Sequence, residues 1–560
     1  MKRSPGNVLR WLFDSSHGAQ GRLVPRWILL RALAAIYFSA FFSLLFQIKG
    51  LIGPEGILPA QQYLAAVGRS FAGLARYWYA PSLYWISASS QMLMAVMWVG
   101  LAASVVAFLN LWPRLSFLVC FICFLSFVTA SGEFSNYQSD GMLLEAGFVA
   151  LFFAPRGLLP GWGAQSPPSR ASLFLLQWEW FRIYFESGLV KLLSGDQEWR
   201  HLTAMDEYYQ NGPLPTWIGW YVEHWPHWFQ VSTAGATLVL ELVLVFMLFF
   251  PRRVRLICFL IVTPWEIAVI ITANYTFLNY LVLWLGVLLL EDRTLLRLVP
   301  ARWRPAEPEI AQEIEFAEEA PLSILHASEG SAASVVEARA ADRAKPTWRQ
   351  RVAAQGNALR LAGAAVMLSW IAYNTTAKLI GLPLREIPLP TAPIAALEPF
   401  RIANQYGLFA VMTRGRYEIE FQGSNDGQNW TPYPFLYKPQ ALNEAPRIYA
   451  PYQPRFDWNL WFASLGDWQQ NDIVPLTEER LLVNGGDVLG LFKSNPFAQM
   501  PPRYVRAVLW QYWFTTMDEK RRTGNWWRRE PMGLYAPEIT LTADGRFAVV
   551  QWPEELPPHD

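Results

Sequence analysis

The stretch LFLLQWEWFRIYFESGLVKLLSG, residues 173–195, is long and apolar enough to cross a bilayer, yet it carries Glu179, Arg182, Glu186 and Lys191. About 20 residues of helix span the hydrocarbon core. A charge left unpaired there is costly, so an ionisable group in a span is either paired or functional. At about 100° per residue Glu179, Arg182 and Glu186, spaced i, i+3, i+7, fall on one stripe. On that stripe Arg182 reaches both acids, while the Trp, Phe and Leu residues face lipid or neighbouring helices. Lys191 lies about 140° around the helix from Glu186. It has no obvious local partner, and it either snorkels to the interface or points into a cavity.

The rest of the chain has the same character. Of 560 residues 53% are apolar and 16% charged, with 28 Trp, which is the composition of a polytopic membrane protein. A net charge of +1 gives no argument for a nucleic acid partner, and none is expected. Apolar segments of spanning length lie near 27–48, 89–111, 114–131, 141–155, 171–193, 233–250, 255–272, 274–291 and 358–380. Residues 1–26 carry Lys2, Arg3, Arg10, Arg22 and Arg26 without an apolar core, so they read as a cytoplasmic segment ahead of a signal anchor. With nine crossings, the basic loops around Arg114, Arg156–Arg170, Arg252–Arg255, Arg293–Arg304 and Arg343–Arg360 share the side of the N-terminus. The acidic or mixed loops fall opposite. The N-terminus is therefore expected in the cytoplasm and the C-terminal part outside it.

This divides the chain into a helical bundle over 27–292, a disordered cytoplasmic linker over 293–357, a last span at 358–380 and an extracytoplasmic domain over 395–560. The linker is rich in Glu, Ala and Ser and poor in aromatics. In the last region RYEIEFQGSNDGQNWTPYPF (416–435) alternates as a strand, turns at SNDG and starts a second strand. Only RYVRAVLWQYWF (503–514) hints at a helical stripe. The expected fold is thus a polytopic α-helical membrane bundle of about nine spans followed by an antiparallel β-sandwich with helical additions.

Glu145, Glu241 and Glu266 are acids in other spans, and with Glu179, Arg182 and Glu186 they form an expected intramembrane charge network, for packing or for function. Cys120, Cys123 and Cys258 all sit in apolar runs and read as filler. His201, His224 and His227 share one outer loop without a fourth ligand, so no metal and no cofactor is expected. The chain has no GxSxG, no phosphate-binding glycine loop and no zinc-protease motif. TWIGWYVEHWPHWF (216–229) reads as an aromatic belt at the membrane interface.

GLIGPEGILP (50–59), NYQSDGMLLEAGFVALFFAP (136–155), WFRIYFESGLVKLLSGDQEWRHLTAM (180–205) and ANYTFLNYLVLWLGVLLLED (273–292) together resemble the membrane half of lipase maturation factors. FRIANQYGLFAVMTRGRYEIEFQGSNDGQNW (400–430), APYQPRFDWNLWFASLG (450–466), NPFAQMPPRYVRAVLWQYWFT (495–515) and WWRREPMGLYAPEITL (526–541) resemble that family's extracytoplasmic domain. The resemblance leaves out the linker around 305–355. It implies a membrane-embedded factor that helps secreted lipases reach their active assembly, with membrane lipids and a secreted lipase or other translocated client as partners. The compact length and short loops suggest a bacterial member in the plasma membrane; in a eukaryotic cell the corresponding place is the endoplasmic reticulum membrane.

Two shorter resemblances add to this. YFESGLVKLLSGDQEW (184–199) is similar to a segment of vitamin K-dependent carboxylase-like membrane proteins in which a lysine acts as base. Lys191 falls at about that lysine, with Leu192 where those enzymes carry a second one. EIEFQGSNDGQNWTPY (418–433) resembles the strand–turn–strand of discoidin-type sandwiches. The leading expectation is a non-enzymatic maturation factor, with Trp458, Trp461, Phe462, Trp526 and Trp527 either contacting the client or filling the domain core. The alternative is an integral-membrane enzyme acting on a lipid-like substrate with Lys191 as base.

Overall fold

The computed structural model describes residues 5–135, 137–300, 302, 304, 348–384, 386 and 388–554, so most of the expected disordered linker lies outside the described residues. All nine apolar stretches are helical. They form α2 (Leu23–Leu45), α3 (Ser90–Phe108), α4 (Pro113–Ala130), α5 (Gln138–Phe153), α6 (Arg170–Leu193), α7 (His227–Leu242), α8 (Arg252–Thr272), α9 (Leu278–Gly286) and α10 (Trp348–Leu384). Helix α7 runs on in tighter turns to Phe249. Among the described residues five segments, Leu23–Leu45, Ser90–Phe108, Pro113–Ala130, His227–Phe249 and Arg252–Thr272, are long and apolar enough to cross a membrane. Helix α10 starts ten residues before its expected span. The N-terminal segment contains an amphipathic helix α1 (Pro5–Phe13), which packs on α6 and α10.

Helix α6, the charged span, is the hub: α5, α7, α9 and α10 all pack against it. Gly188 lets α7 come close, because a Cβ there would meet Glu241 Cβ at 2.8 Å.

The C-terminal domain is built on one antiparallel sheet of six strands: β1 (Arg416–Ser424), β2 (Thr431–Pro432), β3 (Tyr504–Phe514), β4 (Trp527–Leu534), β5 (Glu538–Leu541) and β6 (Phe547–Gln551). The stretch with the hint of a helical stripe is in fact the central strand β3. It pairs with the whole of β1 (Arg416 opposite Tyr512, Ser424 opposite Tyr504), and on its other edge with β4 and β5. Its alternation of Val505, Ala507 and Leu509 on one buried face overrides the weak helical pattern. The turn at SNDG forms, with Asp426 Oδ1 accepting from the Gln428 and Asn429 amides at 2.8 and 2.7 Å. Those bonds hold the Asp426 carboxyl well below the usual range.

The expected sandwich is replaced, among the described residues, by this single sheet with helices on it. Helices α11 (Arg455–Ala463) and α12 (Ile473–Leu482) cover the face carrying Ile419, Phe421 and Leu509, with Phe456, Leu460, Val474 and Leu481 in the core. The other face of β1 holds Arg416, Glu418, Glu420 and Gln422, and they are buried as well. Burial is tolerated because each is paired. Glu418 sits between Arg416 and Lys438 (Nζ at 2.8 Å), and Glu420 accepts from Arg529 at 3.1 Å. Arg416 also donates to the Gln210 and Gly212 carbonyls of the loop before α7, at 2.9 and 2.5 Å, so the domain's charged face is closed by the membrane half.

Asp457 on α11 accepts the Tyr437 and Lys438 amides at 3.2 and 3.1 Å, yet burial pushes its carboxyl up to about 6. A raised carboxyl means that the folded chain binds the proton more tightly than the unfolded one. This group alone therefore makes stability fall as pH rises from about 4 to about 6, by roughly 3 kcal/mol in full. Asp457→Asn is expected to remove that slope, which urea unfolding at pH 4.5 and 7.5 measures as a smaller difference than in wild type.

Candidate functional site

After α10 the chain turns back, and residues 402–412 thread into the bundle between α5, α6 and the loop between α6 and α7. Their backbone groups are received by buried polar side chains, as an irregular segment in an apolar setting requires. Glu145 of α5 accepts from the Asn404 amide (2.8 Å) and the Tyr406 hydroxyl (2.9 Å), and Glu186 of α6 from the Tyr406 amide (2.6 Å). Gln138 and Ser187 take the Gly407 and Leu408 amides at 2.9 and 3.2 Å. Arg182 forms an ion pair with Glu145, donates to the Asn404 carbonyl at 2.7 Å and stands 3.9 Å from Glu186. The pairing thus differs from the stripe expected on α6. Arg182 makes its closest contact with an acid on a neighbouring helix, and Glu179 instead meets the Tyr406 hydroxyl at 3.5 Å.

A second lock joins the same two halves. Arg455, at the start of α11, makes a two-point ion pair with Asp140 of α5 at 2.7 and 2.8 Å and donates to the Phe134 carbonyl at 2.7 Å, all fully buried. Gln47 accepts the Arg455 amide at 2.7 Å, and Asn274 Oδ1 accepts the Tyr449 and Ala450 amides at 2.7 and 3.1 Å. In sequence Asp140 is an acid at the edge of the apolar stretch 141–155, with no partner nearby. Arg455 and Asn404 carried no local signal, because their partners lie hundreds of residues away.

Lys191 points into a cavity of about 930 Å³ between α6, α7, α8, the loop between α6 and α7, and the threaded segment. Its ammonium lies 2.9 Å from both Glu241 oxygens, 3.0 Å from the Leu408 carbonyl and 3.4 Å from the Ser187 carbonyl. These contacts make Lys191 a tie between α6, α7 and the threaded segment. Glu266 of α8 accepts from the Tyr184 hydroxyl and, at 2.6 Å, from Asn279. So Lys191 with Glu241, and Glu266 with Tyr184, form two satisfied clusters in the cavity wall, separate from the Glu145–Arg182 cluster.

The aromatic candidates part company. Trp527 is 1% exposed, packed on Phe514 and Tyr512 with Arg416 over its ring, so it is core and unavailable to a client. Trp526 lies edge-on to Trp220 and Tyr221, under Lys520 at 3.6 Å. Trp458 and Trp461 are buried in the cavity wall, and Phe462 beside them is 46% exposed. His224 bonds the Trp220 and Thr515 carbonyls and His227 meets Asp206, and among the described residues no cluster of three or more metal-ligating side chains forms.

Comparison with known proteins covers both halves. Residues 24–297 match the lipase maturation factor transmembrane domain, and residues 402–537 match the lipase maturation factor C-terminal domain. The second match begins at the threaded segment. "Lipase maturation factor 2" of Gallus gallus is 31% identical over 610 residues, covering 95% of this chain and 84% of that protein. "Lipase maturation factor 1" of Bos taurus is 30% identical over 548 residues, covering 95% and 92%, and "Lipase maturation factor 2" of Homo sapiens is 30% identical, covering 93% and 83%. No solved structure matches. Similarity of this extent across the bundle, the threaded segment and the sheet settles the relationship: the chain belongs to the lipase maturation factor family.

Proposed function

We propose that this chain is a membrane-bound, non-enzymatic maturation factor that assists the folding or assembly of secreted lipases. The observation that carries this reading is the family match over both halves. The buried ion pairs that tie the sheet domain to the bundle support it, because they hold a client-facing domain at a fixed place on the membrane. Phe462, exposed at the cavity rim, and Trp526 are the candidate client contacts. The loop charges favour nine crossings with the N-terminus cytoplasmic, the linker on the same side and the sheet domain outside. Short loops favour the plasma membrane of a bacterium. The reported relatives are vertebrate proteins, and the endoplasmic reticulum membrane is the corresponding site in such a cell.

A secreted lipase co-expressed with the chain in a cell lacking it is expected to gain activity per unit of lipase antigen. No gain would contradict the reading. The same assay addresses the enzyme alternative. Lys191→Met alone is expected to lower the amount of chain in the membrane, since Glu241 is left buried and unpaired. Lys191→Met with Glu241→Gln is expected to restore the amount and to keep lipase activation within about twofold, a change under 0.5 kcal/mol. Loss of activation at a normal membrane level would make Lys191 the base instead.

A further inference from the structure

The cavity that holds Lys191 has features its ion pairs do not explain. On α7, Phe229, Thr233, Thr237 and Glu241 line it at four-residue intervals, a run of about 18 Å along the helix. On α8, Trp265, Val269 and Thr272 face the same space. Helix α7 packs on α6 and α8 packs on α9, and both are among the least buried apolar helices, at 22% of their most apolar stretch. A long, mostly apolar chamber between two lipid-facing helices fits an acyl chain, and its size lies within the range of small-molecule sites.

Its polar equipment is selective. Gln453, Trp458 and Trp461, contributed by the sheet domain, are each more than nine-tenths buried in the cavity wall. Both ends of the Gln453 amide and both indole N–H groups have no hydrogen-bond partner among the described residues. The Gln453 Nε2 and the two indole N–H groups call for an acceptor, and the Gln453 Oε1 calls for a donor. Among the described residues the only Lys or Arg in the lining is Lys191, which is committed to Glu241, and Glu266 is held by Tyr184 and Asn279. An anionic head group would therefore be buried beside carboxylates without a free cation. An uncharged ester or hydroxyl head meets the unpaired donors without that cost.

We propose that this cavity binds a neutral glycerolipid drawn laterally from the bilayer, its chain along α7 and α8 and its ester or hydroxyl head against Gln453, Trp458 and Trp461. The site is independent of the lipase reading, because binding is measured on the chain alone. The full-length chain in detergent is photolabelled with a diazirine-bearing dioleoylglycerol, with unlabelled dioleoylglycerol, oleate or dioleoyl phosphatidylglycerol as competitor. Labelling is expected to saturate, to map to α7, α8 or residues 453–461, and to be displaced by dioleoylglycerol at least about tenfold better than by either anionic lipid, a difference of one unpaired polar contact or more. Trp461→Phe keeps the ring, removes the N–H and is expected to weaken labelling about fivefold with an unchanged unfolding temperature. Thr237→Trp, which fills the chamber, is expected to abolish it. Labelling that fails to saturate, maps elsewhere, yields equally to the anionic lipids or survives both substitutions would overturn the proposal.

Discussion

Arg455→Ala is expected to destabilise the folded chain by about 3–5 kcal/mol, enough to remove most of it from the membrane. The residue makes three buried hydrogen bonds through its guanidinium, two to Asp140 and one to the Phe134 carbonyl. Truncation leaves Asp140, also fully buried, as an uncompensated carboxylate at the start of α5. Arg455→Lys is expected to recover less than half of the loss, because an ammonium is a point donor and cannot meet both carboxylate oxygens and the carbonyl in one plane. Steady-state membrane levels and thermal unfolding of the purified chain measure both effects. Wild-type levels and melting in Arg455→Ala would mean that the two halves are held together elsewhere.

Glu145→Ala carries an expected loss of similar size, about 3–5 kcal/mol, for a different reason. Glu145 serves at once as the counter-charge of Arg182 and as the acceptor for the Asn404 amide and the Tyr406 hydroxyl. Removing it leaves Arg182 with Glu186, 3.9 Å away, as its remaining ion-pair partner and loosens the threaded segment at Asn404 and Tyr406. The second effect is visible as new protease cleavage near residues 402–412, which in wild type are held by Glu186, Gln138 and Ser187 as well. Adding Arg182→Ala is expected to cost less than the sum of the single changes, with a coupling of about 2 kcal/mol between the pair. Additive losses would show that Arg182 finds its counter-charge in Glu186 alone.

The helices of the membrane half were legible in the sequence because apolar length is a local signal. Each expected span contains a helix, and α6 was identified as the unusual one from four charges on one apolar stretch. What the stripe could not reveal was its partners. Arg182 pairs across to α5, and the segment that uses Glu145 and Glu186 as acceptors begins more than 200 residues later, at Asn404. The sheet domain was half legible. The alternation of β1 and the SNDG turn were plain, whereas the second layer was misread because α11 and α12 are short and carry mixed polarity. The charged face of β1 reads as solvent-facing by pattern, and it is buried only because Lys438, Arg529 and the loop before α7 arrive to pair with it. The candidate client contacts divided by burial, a property that alternation in a Trp-rich sequence does not encode.

The measurement that tests the account most directly uses the native host with the gene deleted, carrying either wild type, Arg455→Ala or no copy. Lipase activity per unit of lipase antigen is quantified in the secreted fraction. The account predicts that deletion lowers specific activity, that wild type restores it and that Arg455→Ala does not. Unchanged specific activity on deletion would contradict it.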